Sequence, residues 1–299
     1  MYIVYKLVNL SPSLKNLNLQ ILITFEQMSI VTLTTDLGYR DPYLAIVKAK
    51  LISQVDDIKI IDLSCDIKDN NISDAAFILK NALPYFPENT IHLMAVKFIV
   101  DSGNTNKQTG IDNTRYLISK YKGQYIICPD NGLFSLIDSN YDAPIYQLYY
   151  DGKAKHHFFL KDIFVDVAIH ISKTNSIEDI GMPTTDYYKA FQFESFVTGN
   201  ILRGKGIYVD DFGNIITNIS KQQFTDAASK RSFTITLPGS RITKILNTYD
   251  EVKNGQPLVL FNSFGYLEVA VNGGSALKML CPRDIGRKFD FNIMIEFND

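Results

Sequence analysis

The chain has 299 residues, 46% hydrophobic and 21% charged, with 30 basic against 32 acidic side chains and a net charge of −2. That is the profile of a globular protein long enough for two domains and a substantial core, and it gives no electrostatic reason to expect nucleic acid or an anionic membrane as partner. Cys65, Cys128 and Cys281 are far apart and odd in number, which fits a reducing, cytoplasmic setting better than a disulfide framework, and none has metal-ligand spacing. No run approaches the roughly 18 apolar residues that a membrane helix needs.

Residues 1–27 hold apolar pieces but no compact signal-peptide core, and Met28 directly precedes a strand-like run. The expectation is an extension over 1–27 and an ordered fold from about 28. Ile30 to Thr35 alternates apolar residues with threonines, as a buried strand does, and breaks at Asp36 and Gly38. Asp41 to Gln54 reads as a helix with one apolar face, Ile58 to Leu63 as a strand, Ile72 to Leu83 as a helix and Ile91 to Val96 as a third strand. This β-α-β-α-β order predicts an α/β domain with a mainly parallel sheet between helices. A polar loop over 101–115 follows, then a strand from Tyr125 to Cys128 and a helix from Asp162 to Ile171.

From about residue 196 the pattern changes to short β-like runs with Gly and Asn turns: Gly206–Asp210, Asn214–Asn218, Phe233–Leu237, Pro257–Phe261 and Tyr266–Ala270. Their spacing predicts an all-β barrel. The organisation expected is an extension over 1–27, an α/β domain over 28–192 and a β-barrel domain over 193–299.

Four polar turns follow strands: Asp36 to Asp41, Asp130 to Gly132, Asp210 to Asn214, and Asn262 to Gly265 with Asn272 to Ser275. Asp, Asn and Gly supply turn geometry unaided, so each turn also has a purely structural reading. Asp36 in particular reads either as a cap on the helix beginning near Asp41-Pro42 or as a ligand carboxylate, since ligands of open α/β sheets collect where strands end. The histidines His92, His156, His157 and His170 form no metal-ligand set, and His92, inside a strand, reads as a hydrogen-bonded core residue.

Taken in order, Thr34-Thr35-Asp36-Leu37-Gly38, Ile61-Asp62-Leu63-Ser64, Phe86-Pro87-Glu88-Asn89-Thr90-Ile91-His92, Pro129-Asp130-Asn131-Gly132-Leu133, Asp210-Asp211-Phe212-Gly213-Asn214 and Asn262-Ser263-Phe264-Gly265-Tyr266-Leu267-Glu268 resemble the S-adenosyl-L-methionine (SAM) hydroxide adenosyltransferases, relatives of the fluorinating and chlorinating SAM enzymes. The resemblance runs from about residue 29 to the end. It implies a homotrimer with SAM between one subunit's N-terminal domain and its neighbour's C-terminal domain, and no cofactor besides SAM as substrate or ligand. By the same resemblance Asp36 takes the ribose diol, and Phe86 packs against the sugar. Asp41 and Asp210, aided by Ser263, hold the methionine ammonium. Phe212 and Asn214 hold adenine, with the backbone beside Asn272 and Gly273. Carboxylates suit a diol and an ammonium, and an amide can both donate to and accept from a purine edge.

The catalytic side departs from the family pattern. Family hydrolases carry an Asp in a Val-Asp-Pro-Gly-Val-Gly stretch, an Arg shortly after it, and a His in a Phe-His-Gly-Arg-Asp stretch. This chain has Lys97 at the first position, about Asn104 at the second and Phe159 at the third. Leu160 stands where the halogenases place a small or hydroxyl-bearing residue, which speaks against a halide pocket. Lys97 either orients a nucleophile or pairs with Asp101. The expected activity is hydrolysis of SAM to adenosine and methionine, weakened or altered by the missing triad. The alternatives are a catalytically silent SAM- or adenosine-binding trimer and transfer of the adenosyl group to another nucleophile.

Overall fold

The computed structural model describes residues 28–68, 71–97, 114–150, 158–282 and 290–298. The extension over 1–27, the catalytic-side residues Asp101 and Asn104, and His156 and His157 lie outside the described residues.

The first sheet runs β2-β1-β3-β5-β4-β6-β7. Strands β1 (Ile30–Thr35), β2 (Lys59–Ser64), β3 (Ile91–Ala95) and β5 (Gln124–Pro129) are parallel, with β1 between β2 and β3, and β3 next to β5. Strands β4 (Tyr116–Tyr121), β6 (Ile145–Leu148) and β7 (Gly181–Thr184) extend the sheet antiparallel. The parallel half is the part joined by helical crossovers, α1 (Tyr43–Gln54) and α2 (Ile72–Ala82).

Helices cover both faces. On one, Val31, Leu33, Leu93 and Ile127 pack with Leu44, Val47 and Leu51 of α1 and with Val165 and Ala168 of α4 (Val165–Thr174). On the other, Met94, Ile126 and Cys128 pack with Ala75, Ala76 and Leu79 of α2 and with Leu133 and Phe134 of α3 (Leu133–Ile137). The parallel strands β3 and β5 are buried along their whole length, the expected result of burial on two faces. α4 is entered through a single π turn, Leu160–Phe164. Among the described residues no helix is long and apolar enough to cross a membrane.

The second sheet runs β12-β11-β15-β9-β10-β14-β13, with β8 (Phe196–Thr198) also on β9. Its members are β9 (Ile201–Val209), β10 (Ile215–Ser220), β11 (Ser232–Leu237), β12 (Ser240–Ile242), β13 (Pro257–Phe261), β14 (Tyr266–Val271) and β15 (Asn292–Asn298), and all their pairings are antiparallel. The end strands β12 and β13 lie against each other, nearly closing a barrel filled by Leu202, Ile215, Ile235, Val259, Leu267, Ile293, Ile295 and Phe297. Two short helices, α5 (Lys221–Ala228) and α6 (Ala276–Leu280), are added to the expected all-β pattern, each with a serine cap: Ser220 accepts from the Gln223 N–H and Ser275 from the Lys278 N–H.

The two domains meet at an aromatic seam. Phe77 of α2 stacks on Tyr208 of β9, with centroids 4.5 Å apart and planes at 16°, and it also meets Tyr266 at 5.9 Å and Phe264 at 6.3 Å.

Candidate functional site

β1, β3 and β5 are parallel, so their C-terminal ends share one edge of the sheet, and polar groups from all three meet there. The Asp36 carboxylate, just past β1, accepts the backbone N–H of Lys97, just past β3, at 2.9 Å. Asn131, just past β5, donates its side-chain amide to the Val96 carbonyl at 3.0 Å and accepts the Leu133 N–H at 3.2 Å. Lys97 is in the left-handed region at φ +52, and its side chain is exposed. Around Asp36 the loop is pinned by bonds from the Gly38 N–H to the Cys65 carbonyl and from the Ile67 N–H to the Thr35 carbonyl.

The start of α1 bears on the cap reading of Asp36. The residue at the N-terminal cap of α1 is Pro42, which makes no side-chain capping bond, so neither Asp36 nor Asp41 caps that helix. Asp41 is exposed just before it. Tyr43, in the first turn of α1, packs edge-on to Phe158 at 5.3 Å, which brings the Phe158–Leu160 stretch close to the Asp41 loop. Phe159 itself lies among the rings of Tyr116, at 5.7 Å, and Tyr150, at 6.5 Å, and Leu160 is buried.

Phe86 lies apart from Asp36 within the chain. Its ring packs edge-on to His92 at 5.6 Å, and its carbonyl accepts from the side-chain amide of Gln124, at the beginning of β5. His92 pairs in register with Thr32, which lies four residues, or roughly 13 Å of strand, before Asp36. Phe86 therefore sits toward the opposite edge of the parallel strands and does not join Asp36. It belongs to a buried network in which Gln124 donates to the carbonyls of Leu83 and Phe86, leaving its oxygen to accept from His92 Nε2 at 2.7 Å. His92 Nδ1 then accepts from the Thr32 hydroxyl, also at 2.7 Å. The arrangement suits a neutral imidazole, and burial pushes the His92 pKa down to about 4.

In the barrel domain, the β9–β10 turn is held by one carboxylate. Asp210 Oδ1 accepts the Asn214 N–H at 2.8 Å, and Oδ2 accepts the Asn214 side-chain amide at 2.9 Å. Asn214 is buried, whereas Phe212 at the tip of the turn is 80% exposed. Asn262 accepts the N–H groups of Phe264 and Tyr266, both at 3.1 Å, leaving Ser263 exposed on the β13–β14 turn. The Asn272 amide is spent on the Val252 carbonyl at 2.8 Å, and a Cβ at Gly273 would lie 1.9 Å from Asn254 Oδ1, so backbone is what this corner can offer.

Two residues outside the expected set stand behind these turns. Asn131 is one. Glu268 is the other, a buried carboxylate that accepts the Tyr249 hydroxyl at 2.7 Å; burial raises its pKa, opposed by hydrogen bonds from Tyr249 and Asn262. A charged residue within the apolar run of β14 was the available signal for Glu268. Asp130 is structural: it accepts from Arg115 and from the Tyr188 N–H.

Asp36 and Lys97 thus form one group, with Asp41 exposed on the loop that leads from Asp36 into α1, and Asp210, Phe212, Asn214, Ser263, Asn272 and Gly273 belong to the barrel. Among the described residues no hydrogen bond, ion pair or ring contact joins the two groups within the chain, and no cluster of His, Cys, Asp or Glu could hold a metal ion.

Residues 31–181 match the SAM hydroxide adenosyltransferase N-terminal domain, and residues 204–283 match the corresponding C-terminal domain. The chain belongs to this family. It is 28% identical to an (R)-S-adenosyl-L-methionine hydrolase of Methanocaldococcus jannaschii, over 85% of this chain and 92% of the relative. A protein of the same name from Thermus thermophilus is also 28% identical, over 85% of this chain and 96% of its own. Among solved structures, an uncharacterized conserved protein from Thermotoga maritima superposes with a TM-score of 0.72 at 25% identity, covering 90% of this chain and 99% of that one. The adenosyltransferase family thus accounts for both domains and for the order in which they occur.

Proposed function

We propose that this member of the adenosyltransferase family is a cytoplasmic SAM-binding protein that hydrolyses SAM slowly to adenosine and methionine. The observation that carries the reading is the Asp36 carboxylate, fixed by the Lys97 N–H at the shared edge of three parallel strands. Each carboxylate oxygen has lone pairs beyond that bond, enough to accept from the two hydroxyls of a ribose diol. Asp41 and Asp210, with Ser263, receive the methionine ammonium. Phe212, Asn214 and the backbone at Asn272 and Gly273 receive adenine.

The two groups of residues are best reconciled by a homotrimer in which one subunit's Asp36 edge faces its neighbour's barrel turns. The exposed Phe212 ring supports this arrangement, since an aromatic so placed gains by being covered. A mass in solution near three times the 33.9 kDa of one chain is the expected result of light scattering.

In the reaction, water oxygen bonds to the ribose C5′, the C5′–sulfur electron pair leaves with methionine as a neutral thioether, and the proton goes to solvent. The sulfonium already activates C5′, so alignment and partial desolvation carry most of the catalysis. At the described positions where family hydrolases carry Asp and His, this chain offers an exposed Lys97 side chain and a Phe159 enclosed by rings. Lacking a positioned base costs roughly 10²–10⁴-fold in rate, hence slow turnover. The same apolar Phe159 and Leu160 favour a second reading, a silent SAM or adenosine binder.

Purified protein incubated with SAM and followed by chromatography separates the two readings. Adenosine and methionine appearing in equal amounts above the enzyme-free background support hydrolysis. Binding without products supports the silent binder, and no SAM binding by calorimetry overturns both. In the same assay, Lys97→Ala reports whether the ammonium takes part in catalysis.

A further inference from the structure

The Val96 carbonyl and the Lys97 N–H are the two ends of one peptide group, and the side chains of two strand-end turns hold it from opposite sides. Asn131 donates to the carbonyl at 3.0 Å, and Asp36 accepts from the N–H at 2.9 Å. Asn131 is only 4% exposed, and its own oxygen is used by the Leu133 N–H, so its amide has one orientation. We infer that Asn131 is a positioning residue for ligand binding: it fixes the plane of the Val96–Lys97 peptide and thereby the direction in which Asp36 presents its carboxylate.

Three features support this role. A peptide accepting at its carbonyl is a better donor at its N–H, so the two bonds reinforce each other. Lys97 occupies a left-handed conformation that is uncommon for a residue with a side chain, and the Asn131 bond to the preceding carbonyl helps to hold the chain there. Among the described residues the Lys97 N–H is the hydrogen-bond partner of the Asp36 carboxylate, so the aim of the carboxylate follows this peptide. The inference rests on the proposed role of Asp36 as the ribose-diol ligand.

The test compares adenosine with 2′,3′-dideoxyadenosine by calorimetry, using the wild-type chain, Asn131→Asp, Asp36→Asn and the double variant. Asn131→Asp keeps the acceptor for Leu133 and removes the donor to Val96. Asn131→Ser serves the same purpose should the added charge prevent folding. The expected result is that the Asn131 variant weakens adenosine about tenfold, the size of one lost hydrogen bond, leaves dideoxyadenosine unchanged, and adds nothing in the Asp36→Asn background. Equal losses for both ligands, or full additivity in the double variant, would make Asn131 merely structural and overturn the inference alone. If the wild-type chain itself does not distinguish the two nucleosides, the Asp36 role falls and the inference falls with it.

Discussion

The Asp36 carboxylate and the Lys97 N–H, 61 positions apart in sequence, form a 2.9 Å hydrogen bond that ties the end of β1 to the end of β3. The acidic side chain here is held by the backbone of a residue whose own side chain is exposed. Removing the acid should weaken ligand binding without unfolding the sheet, whose paired residues Thr35 and Ala95 lie just before the turn. Asp36→Ala is expected to weaken SAM binding by roughly 10- to 100-fold, the scale of a charged hydrogen bond. Calorimetry alongside a thermal melt checks this. Unchanged affinity would remove Asp36 from the site.

Lys97 matters through its main chain, and its substitutions should sort accordingly. Lys97→Gly suits a φ of +52 and should hold or slightly raise the melting temperature with SAM affinity intact. Lys97→Pro cannot reach that φ and loses the N–H, and it should cost both stability and affinity. Thermal melts and titrations of the two variants side by side decide the matter, and equal behaviour of the two would contradict a backbone role.

Buried His92 should leave a signature in the pH dependence of stability. Its folded pKa of about 4 lies below the 6.5 of an unperturbed histidine, so between these values the unfolded chain binds the extra proton. Its contribution is fully present above about pH 6.5 and is lost as pH falls toward 4, by about 3 kcal/mol in all. Asp74 works in the opposite direction: burial pushes its pKa up to about 6, so the folded state holds its proton over much of the same range. Wild-type stability should therefore change little between pH 6.5 and 4, whereas Asp74→Asn should fall steadily on acidification. Urea unfolding at four or five pH values checks this, and a flat profile in Asp74→Asn would refute it.

Gly213 couples the turn that carries Phe212 to the cap of α6. At φ +81, an added Cβ would lie 2.0 Å from Ser275 Oγ, the atom that accepts the Lys278 N–H, and the Gly213 carbonyl itself accepts the Leu277 N–H at 2.9 Å. Gly213→Ala should destabilise the protein by about 2 kcal/mol through strain and a displaced cap. A lowered melting temperature together with weakened adenosine affinity is the expected pattern, because the proposed function assigns adenine to the neighbouring Phe212 and Asn214.

Much of this architecture can be read from local pattern, and the exceptions share a cause. β13 has the bounds expected from its apolar run, and β14 extends one residue beyond its own. The antiparallel strands β4 and β6 and the final strand β15 are absent from the sequence expectation. β15 buries every second residue, Ile293, Ile295 and Phe297, in clear alternation, but β6 is only four residues long and half buried, too short for a period to register. α5 and α6 are short helices started by serine caps inside a β-rich stretch, where strand periodicity dominates the window.

The site divides in the same way. Asp36, Asp210 and Asn214 stand out in the sequence as carboxylates and an amide in turns after strands, although such residues also serve structure, as Asp130 does. The left-handed Lys97 is illegible because nothing in a lysine announces a positive φ; the surrounding contacts impose it. The separation of Phe86 from Asp36 is illegible because the order of residues along the chain does not reveal which edge of a sheet a loop occupies. Its ring answers to His92, in the first half of β3, rather than to Asp36 beyond the end of β1.

The stacked pair of Phe77 and Tyr208 ties the fates of the two domains on heating. One ring belongs to the helix layer of the first domain and the other to the barrel strand β9, so neither core can melt without stripping the seam from the other. Unfolding should accordingly be a single calorimetric transition, whose enthalpy is that of the whole chain.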